Sequence, residues 1–281
     1  MNPRPFMQVD VFTDRPYRGN PVAVILDANG LDEGEMLAIA RWTNLSETTF
    51  VFAPDAPGAD YRLRIFTPVH ELPFAGHPTL GSAFAVAAAG IARPEGGRLV
   101  QQCAAGLVPM RFESPDRVWL RLPAARVNPL PDPQRRRLSD ALGIDCPEDT
   151  CAIDVGPVWI TVRAPSGPAV LALRPDQNAI AAISRELGAT GVTVFGEHVD
   201  GDTRFEVRSF APAASVPEDP VCGSGNGCVA VMLARGGERQ PYLARQGRAI
   251  GRDGFVAVGF PGDGIEIGGS VVTCIRGEIT A

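Results

Sequence analysis

Four side chains have the type and setting to do chemistry: Glu47, His77, Asp219 and Cys222. Glu47 sits in the turn Asn44-Leu45-Ser46-Glu47-Thr48. With apolar neighbours in a cleft its pKa would rise, and it could take and return a proton near neutrality. The plainer reading is a solvated turn glutamate. His77 opens an expected helix and could donate a hydrogen bond to substrate or carry a second proton, or simply bond to backbone. Asp219 precedes Pro220 and could orient a substrate group or His77, or cap its own loop. Cys222 stands at a second expected helix start, where its thiol pKa would be lowered; it reads as an acid/base group or as a small buried residue. His70 and His198 lie in polar loops and read as surface residues. No His, Cys, Asp and Glu set has metal-ligand spacing, and no Ser/His/Asp arrangement or GxSxG elbow is visible.

Two glycine turns could bind an anion. Gly76-His77-Pro78 places a proline at an expected N1 position, and Gly223-Ser224-Gly225 is more open still. The first N–H groups of a helix lack intrahelical partners and carry partial positive charge, so small residues there admit a carboxylate or phosphate. Neither turn has a P-loop lysine, and GSGNGC is only a partial GxGxxG without the acidic partner of a dinucleotide fold. No cofactor is expected.

The elements that position these residues occur twice. Phe66–Gly90 reads FTPVHELPFAGHPTLGSAFAVAAAG, and Phe210–Gly237 reads FAPAASVPEDPVCGSGNGCVAVMLARGG. Both open with Phe-x-Pro, continue through Glu-x-Pro (Glu71, Glu218) to glycine (Gly76, Gly223), and run into a helix of small apolar residues. Upstream, Gly19–Phe52 predicts a strand (PVAVIL), a helix from Asp32 with Glu35 completing a capping box, and a strand (TTFVF). Val155–Phe195 predicts the same order: PVWITV, a helix around Asn178–Leu187, and GVTVF. A repeat this long implies two pseudo-symmetric domains rather than a solenoid. The first is placed at 1–124, with the C-terminal strand 270–281 assigned to complete it, and the second at 130–269. The proline-rich stretch 123–133 is the expected linker. If a pseudo-two-fold axis relates the halves, both helix starts can face one cleft. The copies differ where chemistry is expected: Glu47 has no carboxylate counterpart in Leu187-Gly188-Ala189-Thr190-Gly191.

Composition excludes several classes. Of 281 residues, 45% are hydrophobic and 21% charged, the ordinary globular range, and the formal net charge is −6. That charge argues against nucleic-acid and anionic-membrane partners. The Arg135-Arg136-Arg137 run reads as the solvated face of a helix. Neither a signal peptide nor a membrane span is expected, so the reading is cytoplasmic. The six cysteines form no CxxC pair and are expected as free thiols.

The strings VDVFTDRPYRGNPVAVIL, NLSETTFVF, RIFTPVHELPFAGHPTLGSA and EDPVCGSGNG resemble the phenazine-biosynthesis PhzF-like family, within the wider diaminopimelate epimerase-like fold, along the whole chain. The resemblance implies an α+β protein, each domain a mostly antiparallel sheet wrapped around a central helix. It also implies an isomerase acting on a small carboxylate-bearing molecule, commonly as a homodimer. It maps the acid/base role to Glu47 and site-lining roles to His77, Asp219 and Ser224. Related epimerases use two cysteines, and Ala75 occupies the first such position here while Cys222 keeps the second. Three functions stay open at this point: a one-base isomerase using Glu47, a two-base epimerase using Glu47 and Cys222, and a non-catalytic small-molecule binding protein.

Overall fold

A computed structural model describes residues 2–198 and 201–281. They divide into two compact units, Met1–Leu120 with Gly268–Ala281, and Arg121–Ile267.

The first unit contains β1 (Pro3–Val11), β2 (Asn20–Ile25), α1 (Glu33–Thr43), β3 (Thr48–Phe52), β4 (Tyr61–Phe66), β5 (Glu71–Leu72), α2 (Gly76–Ala88), β6 (Arg98–Cys103), β7 (Gly106–Ser114) and β8 (Arg117–Arg121). Asp32 caps α1 and forms a reciprocal capping box with Glu35. β2 and β3 are parallel, joined through α1, and β3 is buried along its whole length. Both strands of the parallel pair are almost wholly buried, which explains why their residues are apolar apart from Asn20, Thr48 and Thr49. α2 is apolar on almost every side and mostly buried, a central helix rather than a surface one. A Cβ on Gly81 would come within 2.5 Å of a Val22 methyl, so the glycine is what lets the helix lie this close to the sheet.

The second unit contains β9 (Arg126–Pro129), α3 (Asp132–Leu142), β10 (Cys151–Asp154), β11 (Val158–Arg163), α4 (Gly167–Ala172), α5 (Gln177–Glu186), β12 (Gly191–Glu197), β13 (Phe205–Ala211), β14 (Val216–Asp219), α6 (Gly223–Arg235), β15 (Tyr242–Gln246) and β16 (Gly254–Gly259). The last strand, β17 (Glu266–Thr280), pairs antiparallel with β1.

Strand pairing repeats step by step. In the first unit β1–β2 is antiparallel, β2–β3 parallel, β3–β4 and β4–β5 antiparallel, β4–β6 parallel and β6–β7 antiparallel. The same series in the second unit is β10–β11, β11–β12, β12–β13, β13–β14, β13–β15 and β15–β16. β17 borders β1 as β9 borders β10. α3 and α4 have no equivalent in the first unit.

The proline-rich stretch 123–133 is not an unstructured connection. β9 occupies part of it and Asp132 opens α3. Pro129 ends a strand, and Pro131 and Pro133 flank a helix start, positions where a missing N–H costs little.

Candidate active site

Asn44, in the left-handed conformation at φ 53°, closes α1. Glu47 follows and directly precedes β3, so a buried strand fixes its position. Its side chain is 16% exposed, and its Oε2 lies 3.4 Å from Nε2 of His77, itself 8% exposed. His77 is the second residue of α2. On its other side Nδ1 is 3.4 Å from the amide nitrogen of Asn20, which is fully buried at the start of β2. Burial drives the imidazole down to about 3, with the Pro21 backbone opposing. A charge-assisted N–H···O bond closes to about 2.7–2.9 Å. The 3.4 Å contact lacks hydrogen-bond geometry and Nε2 has no other partner among the described residues, which agrees with a neutral ring.

Ala75 supplies no side-chain cap to α2. Pro78 is therefore the third helical residue rather than the first, because the helix starts at Gly76. A Cβ on Gly76 would meet nothing within 4 Å, so open space adjoins this helix start.

In the second unit Cys222 is the N-cap of α6, the position Ala75 holds in α2, and its sulfur accepts from the Gly225 N–H at 3.2 Å. The thiol is not activated, contrary to the expectation from its helix-start position. Burial, reinforced by the Asp219 carboxylate, pushes its pKa well above the ordinary value and outweighs the helix terminus. Ser224, matching His77, accepts from the Trp159 indole N–H at 2.9 Å and lies 3.5 Å from the Cys222 sulfur. Asp219 accepts from the Val221 N–H at 3.1 Å, and its pKa is raised to about 6, chiefly by burial. Gly223 is buried at the first turn of α6. Gly225 has a steric reason to be glycine, since a Cβ would lie 2.5 Å from the Thr193 hydroxyl oxygen and 2.7 Å from that of Ser209.

The repeated Glu-x-Pro glutamates have a shared job. Arg64 grips Glu71 through two bonds of 2.7 and 2.5 Å, and Arg208 grips Glu218 through two of 2.9 and 2.7 Å. Each fork ties the short strand before a helix start, β5 or β14, to the strand it pairs with, β4 or β13. Arg208 also donates to the Val170 and Leu173 carbonyls.

Sequence reasoning passed over Asn20, Trp159, Arg64 and Arg208. The signal for the arginines was their matching place, two residues before Phe66 and Phe210. Neither Asn20 nor Trp159 carried a local cue. His198 was misread as a surface residue. Its Nε2 lies 3.1 Å from fully buried Glu206, which also pairs with Arg248 at 2.6 Å. His70 is exposed, as expected. Two surface hollows of the second unit, about 250 Å³ beside Asp140 and about 410 Å³ beside Pro147, are lined by none of the candidate residues. Among the described residues no cluster could hold a metal ion, and no helix is long and apolar enough to cross a membrane.

The duplicated α+β unit, each copy with a small-residue helix buried in a mixed sheet, is the diaminopimelate epimerase-like fold. Comparison with known proteins narrows this class. Residues 9–277 match the family described as phenazine biosynthesis-like protein, and the chain belongs to that PhzF-like family. It is 40% identical to antisense-enhancing sequence 1 of Schizosaccharomyces pombe, over 99% of both chains. It is 36% identical to trans-2,3-dihydro-3-hydroxyanthranilate isomerase of Pseudomonas fluorescens, over 98% of both. A crystal structure of a PhzF-family protein from Bacillus anthracis shares the fold, with a TM-score of 0.87 over 100% of both chains at 24% identity. The chain is an isomerase.

Proposed function

We propose that the protein moves a proton within a small carboxylate-bearing metabolite without a cofactor, with Glu47 as general acid and base. One observation carries this reading: a mostly buried carboxylate stands 3.4 Å from a neutral buried imidazole. A neutral imidazole can donate a hydrogen bond to ionised Glu47 or, as the other tautomer, accept one from protonated Glu47. It therefore suits a group that must exist in both protonation states within one turnover. Such contacts tighten when substrate excludes water.

The carboxylate takes a proton from an activated carbon of the substrate. The electron pair delocalises through the adjoining unsaturation, and Glu47, whose carboxyl proton exchanges with solvent, delivers a proton to another carbon, so charge and atoms balance. In the first unit the substrate-binding role beside Glu47 is assigned to Gly76 and His77; in the second unit Asp219, Cys222, Gly223 and Ser224 form the matching group at the start of α6. The uncapped N–H groups of the α2 start are suited to stabilise a substrate carboxylate. The two-base route through Cys222 loses support, because a thiol held far from ionisation is a poor base.

The name of the Pseudomonas relative makes trans-2,3-dihydro-3-hydroxyanthranilate the first compound to try, followed by other cyclic unsaturated acids and amino acids. Proton NMR in heavy water is expected to show deuterium entering one carbon with the wild-type protein and not with Glu47→Gln. Undiminished turnover by Glu47→Gln overturns the assignment.

A further inference from the structure

A neutral imidazole carries its proton on one of two nitrogens, and the partners around His77 decide which. Glu47, His77 and Asn20 all belong to the first unit. Glu47 Oε2 lies 3.4 Å from Nε2, and the side-chain nitrogen of Asn20 lies 3.4 Å from Nδ1. An amide nitrogen has two hydrogens and no lone pair to offer, so it can only donate. Nδ1 therefore accepts. Burial keeps the ring neutral, so its one proton is left on Nε2, the atom that faces Glu47.

The backbone that carries Asn20 is pinned. Asn20 opens β2 opposite Val11 of β1 and is fully buried. A Cβ on Gly19 would lie 2.2 Å from the Val11 carbonyl oxygen, so only glycine lets the chain run this close to β1. The Gly19 N–H also donates to the buried Asp10 carboxylate at 3.3 Å.

The second unit builds the same device from other residues. Ser224 holds the place in α6 that His77 holds in α2, and the Trp159 indole N–H donates to its hydroxyl at 2.9 Å. An indole nitrogen is a donor only. Both copies thus set an N–H donor behind the second helical residue. That residue accepts from behind and keeps its own hydrogen for another partner.

One group pulls the other way. The Pro21 backbone favours a protonated ring, and a proline has only its carbonyl to do so. Nε2 has no hydrogen-bond partner among the described residues, so the carbonyl acts from the Nδ1 side. Nδ1 is therefore contested by a donor and an acceptor from adjacent residues, which keeps the second tautomer within reach. Without the Asn20 amide the carbonyl alone remains. The ring proton then moves to Nδ1, and Nε2 turns a lone pair toward Glu47.

We propose, on the reading that Glu47 carries the proton, that Asn20 is a positioning residue whose amide holds the His77 proton on Nε2, facing the Glu47 carboxylate. A hydrogen bond offered to a carboxylate favours its ionised form, the form that acts as base. A lone pair set against it favours the protonated form.

Nitrogen-15 NMR of the full chain with labelled imidazoles, near neutral pH and without substrate, reads the tautomer. The chain has three histidines, and His77→Gln identifies the His77 signals by their loss. Wild type is expected to show Nε2 protonated and Nδ1 bare. Asn20→Ala, and the isosteric Asn20→Asp with an acceptor in place of the donor, are each expected to put a proton on Nδ1. Asn20→Ala should also raise the acid limb of the kcat/KM profile by about one pH unit, a loss of about tenfold on that limb. A merely structural Asn20 would lower the melting temperature with tautomer and acid limb unmoved, and that result overturns the proposal. A wild-type ring protonated on Nδ1 overturns it whether or not the variants fold. Because the tautomer is read without substrate, full turnover by Glu47→Gln removes the role of Glu47, while the placement of the His77 proton stands or falls on its own spectrum.

Discussion

Asp219→Asn should make the protein more stable near neutral pH. The Asp219 carboxyl sits at about 6 in the folded protein, against 3.8 when unperturbed, with burial as the main cause. Below pH 3.8 the carboxyl is protonated whether the chain is folded or not, and the residue carries no penalty. Between 3.8 and about 6 the unfolded chain releases its proton first, so stability falls as pH rises. Above about 6 the full cost is present. Two pH units at 1.36 kcal/mol each give about 3 kcal/mol. The residue keeps some contact with solvent, which makes this an upper limit. Asparagine has nearly the same shape and retains an oxygen to accept from the Val221 N–H, while removing the buried charge. The expected gain at pH 7.5 is about 1–3 kcal/mol, a rise of roughly 3 to 10 °C in melting temperature. Calorimetry of both proteins from pH 3.5 to 8 checks it. The difference must be near zero at the acid end and grow through the interval from 3.8 to 6. A pH-independent difference, or a less stable variant at pH 7.5, refutes the assignment of a buried ionised carboxylate. If Asp219 also contacts substrate, the stabilised variant loses activity, the exchange seen where function requires a strained group.

The remaining expectations concern the same elements. Burial holds His77 at about 3, below its ordinary 6.5, so its stabilising effect is complete above 6.5 and is lost as pH falls toward 3. His77→Gln should flatten that acid limb of the melting-temperature profile, and the wild-type kcat/KM should show no limb assignable to His77 between pH 5.5 and 8. Arg208→Met strands the Glu218 carboxylate, whose side chain is 8% exposed, and should cost about 3–5 kcal/mol in urea unfolding. Combining it with Glu218→Met should recover most of the loss, since no unpaired charge then remains. Gly225→Ala should destabilise by about 1–3 kcal/mol, because the added methyl meets the Thr193 and Ser209 hydroxyls. Gly76→Ala has room for its methyl, so its melting temperature should hardly move while KM for the substrate rises.

The repeat was legible because it is written in local chemistry. The Phe-x-Pro and Glu-x-Pro strings, the small-residue helix starts and the Asp32–Glu35 capping box are short-range patterns, and the capping box and both helices formed as expected. What stayed hidden depends on residues far apart in sequence. Asn20 reaches His77 across 57 positions, and Trp159 reaches Ser224 across 65. The sign of the Cys222 shift was misjudged for a related reason. A helix start is visible in sequence and lowers a thiol pKa, whereas the burial that raises it is a property of the packed unit. His198 followed the same course, since only the folded sheet reveals that Glu206 is buried beneath it.

The two units build one scaffold and then differ at matched places, and those differences bear on mechanism. Strand pairing, the arginine–glutamate forks and the small-residue helices are common to both copies. At the helix cap the pair is Ala75 and Cys222, and at the second helical position His77 and Ser224. Each second-position side chain is met by a residue from the strand behind it, Asn20 in one unit and Trp159 in the other. Before the central parallel strand the pair is Glu47 and Thr190. A route with a base in each unit would need the second unit to present a group that ionises readily. Its two candidates are Cys222, driven far from ionisation, and Asp219, which burial raises to about 6. At neutral pH Asp219 is ionised but spends a hydrogen bond on the Val221 amide, the arrangement of a positioning carboxylate. Glu47 instead has beside it an imidazole able to serve either of its protonation states. The asymmetry therefore favours one proton carrier, and it makes Asp219→Asn and Glu47→Gln separable: the first should leave residual deuterium exchange, the second none.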